Sequence, residues 1–198
     1  MKLIFISGPS GSGKTTISNQ IILKNKNGFV LRTDNYYKTG IISKLLSKLV
    51  DGYFDKIISF NYKLFKKDFD FIVKNGISIH DRSYNFEKKK IQNILNETKN
   101  ISYLIVEGIF AEEFSKNIYN RNYYFLEIKD KKNECMKRVV KRDFKERGKD
   151  KKQAEIDFLK SWDIYYEKFK TYRTKKNTNT FIINKKTDID HLLKKLFN

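Results

Sequence analysis

Residues 2–7 read Lys-Leu-Ile-Phe-Ile-Ser and run without a break into Gly8-Pro-Ser-Gly-Ser-Gly-Lys-Thr15. A short apolar strand that turns through glycines and enters a helix near Gly13 leaves few folds open to the chain. Gly8, Gly13, Lys14 and Thr15 meet the spacing G-x-x-x-x-G-K-[ST]. The glycines let backbone N–H groups turn inward with no Cβ in the way, and the positive end of the following helix adds to them. Such a loop is a cradle for polyphosphate, in which Lys14 reaches the β and γ phosphates and Thr15 offers its hydroxyl to Mg²⁺. A glycine-rich turn that binds nothing has no need of the strand before it and the helix after it.

The rest of the chain alternates strands with helices, which predicts an α/β P-loop fold: a five-stranded, mainly parallel sheet with helices on both faces and a short lid. Thr16 to Lys24 is the first helix, and Phe29 to Thr33 a second strand that ends at Asp34. Ligands sit outside the carboxyl ends of strands in an open parallel sheet, so Asp34 falls on the same edge as the P-loop. Helical spacing recurs over Ile41 to Val50 and Tyr62 to Lys74, with an irregular stretch, Tyr53 to Asn61, between them. Ile77 to Ile79 is a short extended piece, and Ile91 to Leu95 reads as a short helix. Ile101 to Val106 is almost continuously apolar, the mark of a buried parallel strand, and ends in Glu107, the expected second anchor for Mg²⁺.

Asn122 to Ile128 is a fourth strand, followed from Asp130 by a charged helix that runs toward Gly148. Its basic run, from Lys137 through Arg138, Lys141, Arg142, Lys145 and Arg147 to Lys149, is either a solvated face or a lid near 142–152 that closes cations over phosphates. From Lys152 to Tyr172, Phe158, Trp162, Tyr165, Phe169 and Tyr172 form a stripe at intervals of four and three, which reads as core. Lys175 to Asn179 is a loop, Thr180 to Ile183 a fifth strand and Ile189 to Phe197 a closing helix.

At 198 residues the chain suits one domain, 1–198, without staples. Its one cysteine, Cys135, permits no internal disulfide and reads as a half-buried helix residue. No apolar run approaches the ~20 residues of a membrane span and no signal peptide is visible, so the expected protein is cytoplasmic, with no membrane partner. The net charge of +19 points, taken alone, to nucleic acid. The lysines, however, are spread evenly among many Asn, Ile, Phe and Tyr, as compositional drift would leave them.

Taken together, these motifs resemble the uridine kinase family, within the wider group of uridine kinase and phosphoribulokinase relatives. Gly8 to Thr16 is similar to its Walker A stretch, Asp34-Asn-Tyr-Tyr-Lys38 to Asp-Ser-Phe-Tyr-Lys, and Phe54-Asp55 with Phe60-Asn61 to Phe-Asp-His-Pro-x-x-Phe-Asp. Tyr84-Asn-Phe86 resembles Tyr-Asp-Phe, Val106-Glu-Gly-Ile109 resembles Glu-Gly-Ile-Leu, and Lys141-Arg-Asp-Phe-Lys-Glu-Arg-Gly-Lys149 resembles the family's Arg-rich lid. Thr174-Lys175 before Phe181 is similar to the family's Pro-Thr-Lys and the strand after it. The departures lie toward the acceptor: Glu87-Lys-Lys-Lys90 stands where the family has a base-contacting His, Lys149 stands for the last lid Arg, and Val139 for a lid-helix Arg.

The resemblance implies transfer of the γ-phosphate of MgATP to the 5′-hydroxyl of uridine or cytidine. It makes Gly8, Ser10, Gly11, Ser12, Gly13, Lys14, Thr15 and Thr16 the ATP loop, with Arg142, Arg147 and Lys149 closing over the phosphates. Asp34, Lys14 and Arg147 are then the catalytic set, Thr15, Glu107 and Asp34 the magnesium side, and Asp55, Tyr37, Tyr84 and Phe86 the acceptor side. Three alternatives stay open in the sequence: another small hydroxyl acceptor such as nicotinamide riboside, pantothenate or a sugar phosphate; a P-loop module that works with nucleic acid; and a drifted relative without activity. The sequence also leaves homo-oligomerisation open.

Overall fold

Leu3 and Phe5 point to one side of strand β1 (Lys2–Ser7) and Ile4 and Ile6 to the other, and all four are buried. A strand covered on both faces must be interior to its sheet. The computed structural model of the protein describes residues 1–86, 88–115, 122–172, 179–184 and 187–197. Glu87, Thr174, Lys175 and the rest of the 175–178 loop lie outside the described residues, as do the side chains of Phe169 and Tyr172.

The elements in chain order are β1, α1 (Lys14–Lys24), β2 (Gly28–Arg32), α2 (Ile41–Leu49), α3 (Tyr62–Asn75), β3 (Ser78–Asn85), β4 (Lys90–Thr98), β5 (Tyr103–Glu107), α4 (Ala111–Ser115), β6 (Tyr123–Ile128), α5 (Lys132–Arg147), α6 (Lys151–Tyr172), β7 (Thr180–Ile183) and α7 (Ile189–Phe197). Strands β2-β5-β1-β6-β7 form one five-stranded sheet in that order, and every pairing in it is parallel. Ile4, at its centre, pairs with Ile105 on one side and Tyr124 on the other.

Helices cover both faces, as the sequence predicts. Leu3, Phe5, Leu104 and Val106 pack against Phe65, Phe69 and Ile72 of α3 and Phe114 of α4. Ile4, Ile6, Ile105 and Leu126 pack against Ile21 of α1 and Leu192 and Leu196 of α7. Helix α3 begins where the Asn61 side chain accepts the N–H of Leu64, and it stops at Gly76 in the left-handed region. Because β1 lies between β5 and β6, the chain leaves its carboxyl end in one direction toward β2 and crosses back over it later. That reversal is where a parallel sheet opens a crevice.

Two expectations are corrected. Ile91 to Leu95 is strand, not helix: β4 lies antiparallel to β3, with Tyr84 opposite Ile91 and Asp81 opposite Ile94. The spacing Ile91, Ile94, Leu95 fits a helical face, but so short a segment cannot nucleate a helix unaided. The adjacent strand offers a full ladder instead, and Ile94 and Leu95 remain exposed. Cys135 is completely rather than half buried, on the side of α5 that packs against the P-loop. Helix α2 forms over the expected residues, although Ile41, Ile42, Leu45 and Leu49 stay exposed. In α6, Phe158 and Tyr165 are core, with Trp162 half-buried against Phe158.

Candidate active site

The P-loop leaves the carboxyl end of β1 between the ends of β5 and β6. Gly11 has φ of +76°, and a Cβ there would come within 2.5 Å of the Cys135 carbonyl oxygen. Both conformation and space therefore demand glycine. Helix α1 opens after Gly13 with no side-chain cap, so its first N–H groups stay directed at the loop. Lys14 Nζ donates to the carbonyl oxygens of Gly8 at 2.9 Å and Pro9 at 3.0 Å. Burial pushes its pKa down, and Asp34 and Glu107 oppose that shift.

Ser10, Gly11, Gly13, Lys14 and Thr15 line a cavity of about 360 Å³ with Arg32, Asp34, Glu107, Arg138 and Arg142. Gly8 lies behind it against Ile128, Ser12 is buried within the loop, and Thr16 faces solvent. At the floor Glu107, almost fully buried, accepts from Thr15 Oγ1 at 3.0 Å, Ser18 Oγ at 3.2 Å and Arg32 Nε at 3.1 Å. Asp34 Oδ1 is buried, with no hydrogen-bond partner among the described residues. A hydroxyl and two carboxylates, one with an unsatisfied oxygen, are hard oxygen donors beside a phosphate cradle. This donor set suits Mg²⁺, which takes one or two carboxylates and fills its remaining positions with water and phosphate oxygens. Among the described residues no group of three or more His, Cys, Asp and Glu could hold a metal by itself.

Asp34 stands in a 3-10 turn, Thr33–Tyr36, that follows β2 directly. The turn is held from behind: Tyr36 donates to Asp68 Oδ2 at 2.9 Å, and Asp68 also takes Arg82 of β3 through Nε at 2.5 Å and Nη2 at 3.1 Å. The Asp68 and Arg82 side chains are 8% and 10% exposed. Beyond Asp34 opens a second cavity of about 410 Å³, lined by Tyr37, Asp55, Phe86 and Lys89 and, from α5 and beyond, Arg142, Arg147 and Lys149. Ser10, Asp34, Val139 and Arg142 belong to the walls of both cavities, so Asp34 sits at their junction.

Of the expected acceptor residues, Tyr37, Asp55 and Phe86 are brought together on that wall. Asp55 Oδ1 accepts from Ser161 Oγ of α6 at 2.7 Å. Tyr37 is buried, and burial first, then Asp34 and Asp55, raise its pKa well above normal. Tyr84 stands one layer back, packed on Tyr37, Phe54 and Phe86 rather than on the cavity, with its hydroxyl buried and without a hydrogen-bond partner among the described residues.

The cations of α5 converge because Asp143 is buried among them. Arg142 Nη2 lies 2.7 Å, Arg147 Nη1 3.5 Å and Lys149 Nζ 3.9 Å from its carboxylate, and Lys149 is also 2.8 Å from Asp157. The Arg147 guanidinium stacks over Phe86, 3.9 Å from the ring centroid. Burial and the neighbouring Arg142 lower its pKa. Gly148, at φ +61°, ends the helix and turns the chain into α6.

The sequence did not single out Asp143, Ser18 or Arg32. Asp143 is visible as the acid inside a basic run, whereas Arg32 carries no local signal, since its partner Glu107 is its neighbour only through the β2–β5 register. Arg138, next to Val139, donates from Nη1 to the Gly11 carbonyl at 2.7 Å, while Val139 packs on the same loop.

The sequence profile of the Phosphoribulokinase / Uridine kinase family matches residues 3–187. A uridine kinase of Borrelia hermsii is 31% identical over 172 residues, covering 85% of this chain and 80% of that protein. One from Ureaplasma parvum serovar 3 is 28% identical over 188 residues, covering 91% and 87%. The fold is similar to that of a D-glycerate 3-kinase from Cryptococcus neoformans, with a TM-score of 0.62 at 13% identity, covering 92% of this chain and 86% of that one. With the family profile matching nearly the whole length behind a P-loop whose cavity takes Glu107 from the end of β5 and Asp34 from beyond β2, the chain belongs to the phosphoribulokinase/uridine kinase family, as an ATP-dependent kinase that phosphorylates a hydroxyl group.

Proposed function

We propose that the protein transfers the γ-phosphoryl group of MgATP to the 5′-hydroxyl of a pyrimidine nucleoside. The observation that carries this reading is the position of Asp34, which lines both the phosphate cavity and the second cavity. Relatives named uridine kinase that match most of the chain supply the acceptor class.

In this mechanism the P-loop backbone and Lys14 grip the triphosphate, and Asp34 accepts the proton of the attacking hydroxyl. Asp55 holds the ribose hydroxyls, and Tyr37 and Phe86 flank the base. Thr15 and Glu107, with Asp34 alongside, would hold a magnesium ion, which when bound would neutralise phosphate charge. Residues 142–152 act as a lid within one kinase domain: Arg142, Arg147 and Lys149, gathered on Asp143, offset the charge that spreads over the transferring group. Such chemistry needs positioning and charge more than covalent participation.

A coupled ADP-release assay over uridine, cytidine, nicotinamide riboside, pantothenate and ribulose 5-phosphate tests the proposal. Turnover of uridine or cytidine supports it, and turnover confined to a non-nucleoside acceptor overturns it.

A further inference from the structure

Arg32 is the last residue of β2, and the parallel register sets it beside Glu107, the last residue of β5. Its side chain lines the phosphate cavity and ties two elements together there. Nε donates to Glu107 Oε1 at 3.1 Å, and Nη2 donates to Asn19 Oδ1 of α1 at 3.2 Å. A planar guanidinium held at both of these points has its orientation fixed. It has no part in the mechanism above, yet it touches the acid assigned to the magnesium side.

A carboxylate offers about four acceptor sites, two on each oxygen. Oε1 of Glu107 receives both Arg32 Nε and Thr15 Oγ1, so its sites are filled. Oε2 receives Ser18 Oγ at 3.2 Å and keeps one site open, and among the described residues no further side chain donates to either oxygen. Thr15 and Ser18 each take one site on a different oxygen. Arg32 therefore decides whether Glu107 has one open oxygen or two.

Divalent ions differ in what they ask of a carboxylate. Mg²⁺ keeps several of its waters and is satisfied by single oxygens, whereas Ca²⁺ gathers roughly six to eight oxygens and takes carboxylates with both oxygens at once. Resting on the MgATP reading above, we propose that Arg32 is a specificity-determining residue for the metal: by filling Oε1 it holds Glu107 to one open oxygen and selects Mg²⁺ over Ca²⁺. The positive charge of Arg32 repels both ions alike, so charge alone leaves their ratio unchanged. Only the occupancy of Oε1 moves that ratio.

The test titrates Mg²⁺ or Ca²⁺ into the protein with a fluorescent ATP analogue and reads the half-saturating concentration of each ion from analogue binding, with no turnover needed. In the parent Ca²⁺ should require about tenfold more than Mg²⁺. Arg32→Met keeps the stem and has no donor, and the two ions should come nearly level. Arg32→Gln carries an amide N–H at the position of Nε without the charge, and Arg32→Lys carries a charged donor; both should hold the parental ratio. Melting temperatures establish that each variant is folded, and the parental ratio tests the proposal even where Arg32→Met does not fold. A parent without preference for Mg²⁺, a ratio unmoved in Arg32→Met, or one lost equally in Arg32→Gln overturns the role of Arg32 and leaves the MgATP reading standing. Analogue binding and ADP release that are indifferent to both ions and survive EDTA overturn the MgATP reading, and this role with it.

Discussion

Asp68 joins three elements that meet behind the candidate base, and its replacement by alanine gives a loss that can be worked from the contacts. The carboxylate takes two hydrogen bonds from Arg82 and one from Tyr36, in a pocket where its own side chain is 8% exposed and that of Arg82 is 10%. Removing one partner of a buried pair costs about 3–5 kcal/mol, because the other charge stays buried without compensation. The stranded Tyr36 hydroxyl adds about 1 kcal/mol. For a chain of 198 residues this total lowers the melting temperature by about 10 °C or more. Much of the loss comes from the orphaned guanidinium, so Asp68→Ala combined with Arg82→Met should recover a large part of it. Guanidinium chloride unfolding followed by tryptophan fluorescence measures Asp68→Ala, Arg82→Met and the double mutant. A single-mutant loss below about 1 kcal/mol, or a double mutant whose loss is the sum of the single losses, would refute the reasoning.

Asp34→Asn should bind ATP as the parent does, by titration with a fluorescent analogue, yet lose about 10²–10⁴-fold in kcat; near-normal turnover would remove Asp34 from the role of base. Arg147→Ala should cost about 10²-fold in kcat, since a cation aimed at developing phosphate charge is withdrawn, and an unchanged rate would return the residue to a packing role on Phe86. Alkaline titration probes the buried tyrosines. Burial raises the pKa of Tyr84 and Tyr103 to about 12 each, and also raises those of Tyr36, Tyr37 and Tyr165 well above the ordinary value. Above the ordinary value near 10 the unfolded chain releases protons that the folded chain retains, so stability is full below about pH 10 and declines as pH rises toward 12. Unfolding followed across that window checks the sign; stability that is flat or rising would contradict it.

The donor half of the site was legible because its information is local. Spacing within Gly8 to Thr15 identifies the loop, and an acid at the end of an apolar strand identifies Glu107 wherever that strand lies in the sheet. Information that depends on register or on partner elements was not legible. Arg32 looks like any exposed basic residue until β2 is placed beside β5, and Asp143 looks like one charge among many until its burial draws Arg142, Arg147 and Lys149 onto it. The β4 segment failed for the same reason: its apolar spacing satisfies a helix, and only the ladder from β3 decides otherwise. Tyr84 matches a motif whose Phe86 reaches the cavity, yet packing among Tyr37, Phe54 and Phe86 sets its ring one layer behind.

Helix α5 touches the P-loop with one end and walls the second cavity with the other. Cys135 and Val139 lie against Gly11, whose carbonyl receives Arg138, while Arg142, Asp143 and Arg147 line the second cavity. A helix is stiff over this length, so on the proposed function an adjustment of the loop around a triphosphate would shift the wall of the second cavity as well. The two ligands should therefore share a coupling free energy. Linkage makes it reciprocal: whatever factor ATP contributes to acceptor affinity, the acceptor contributes to ATP affinity.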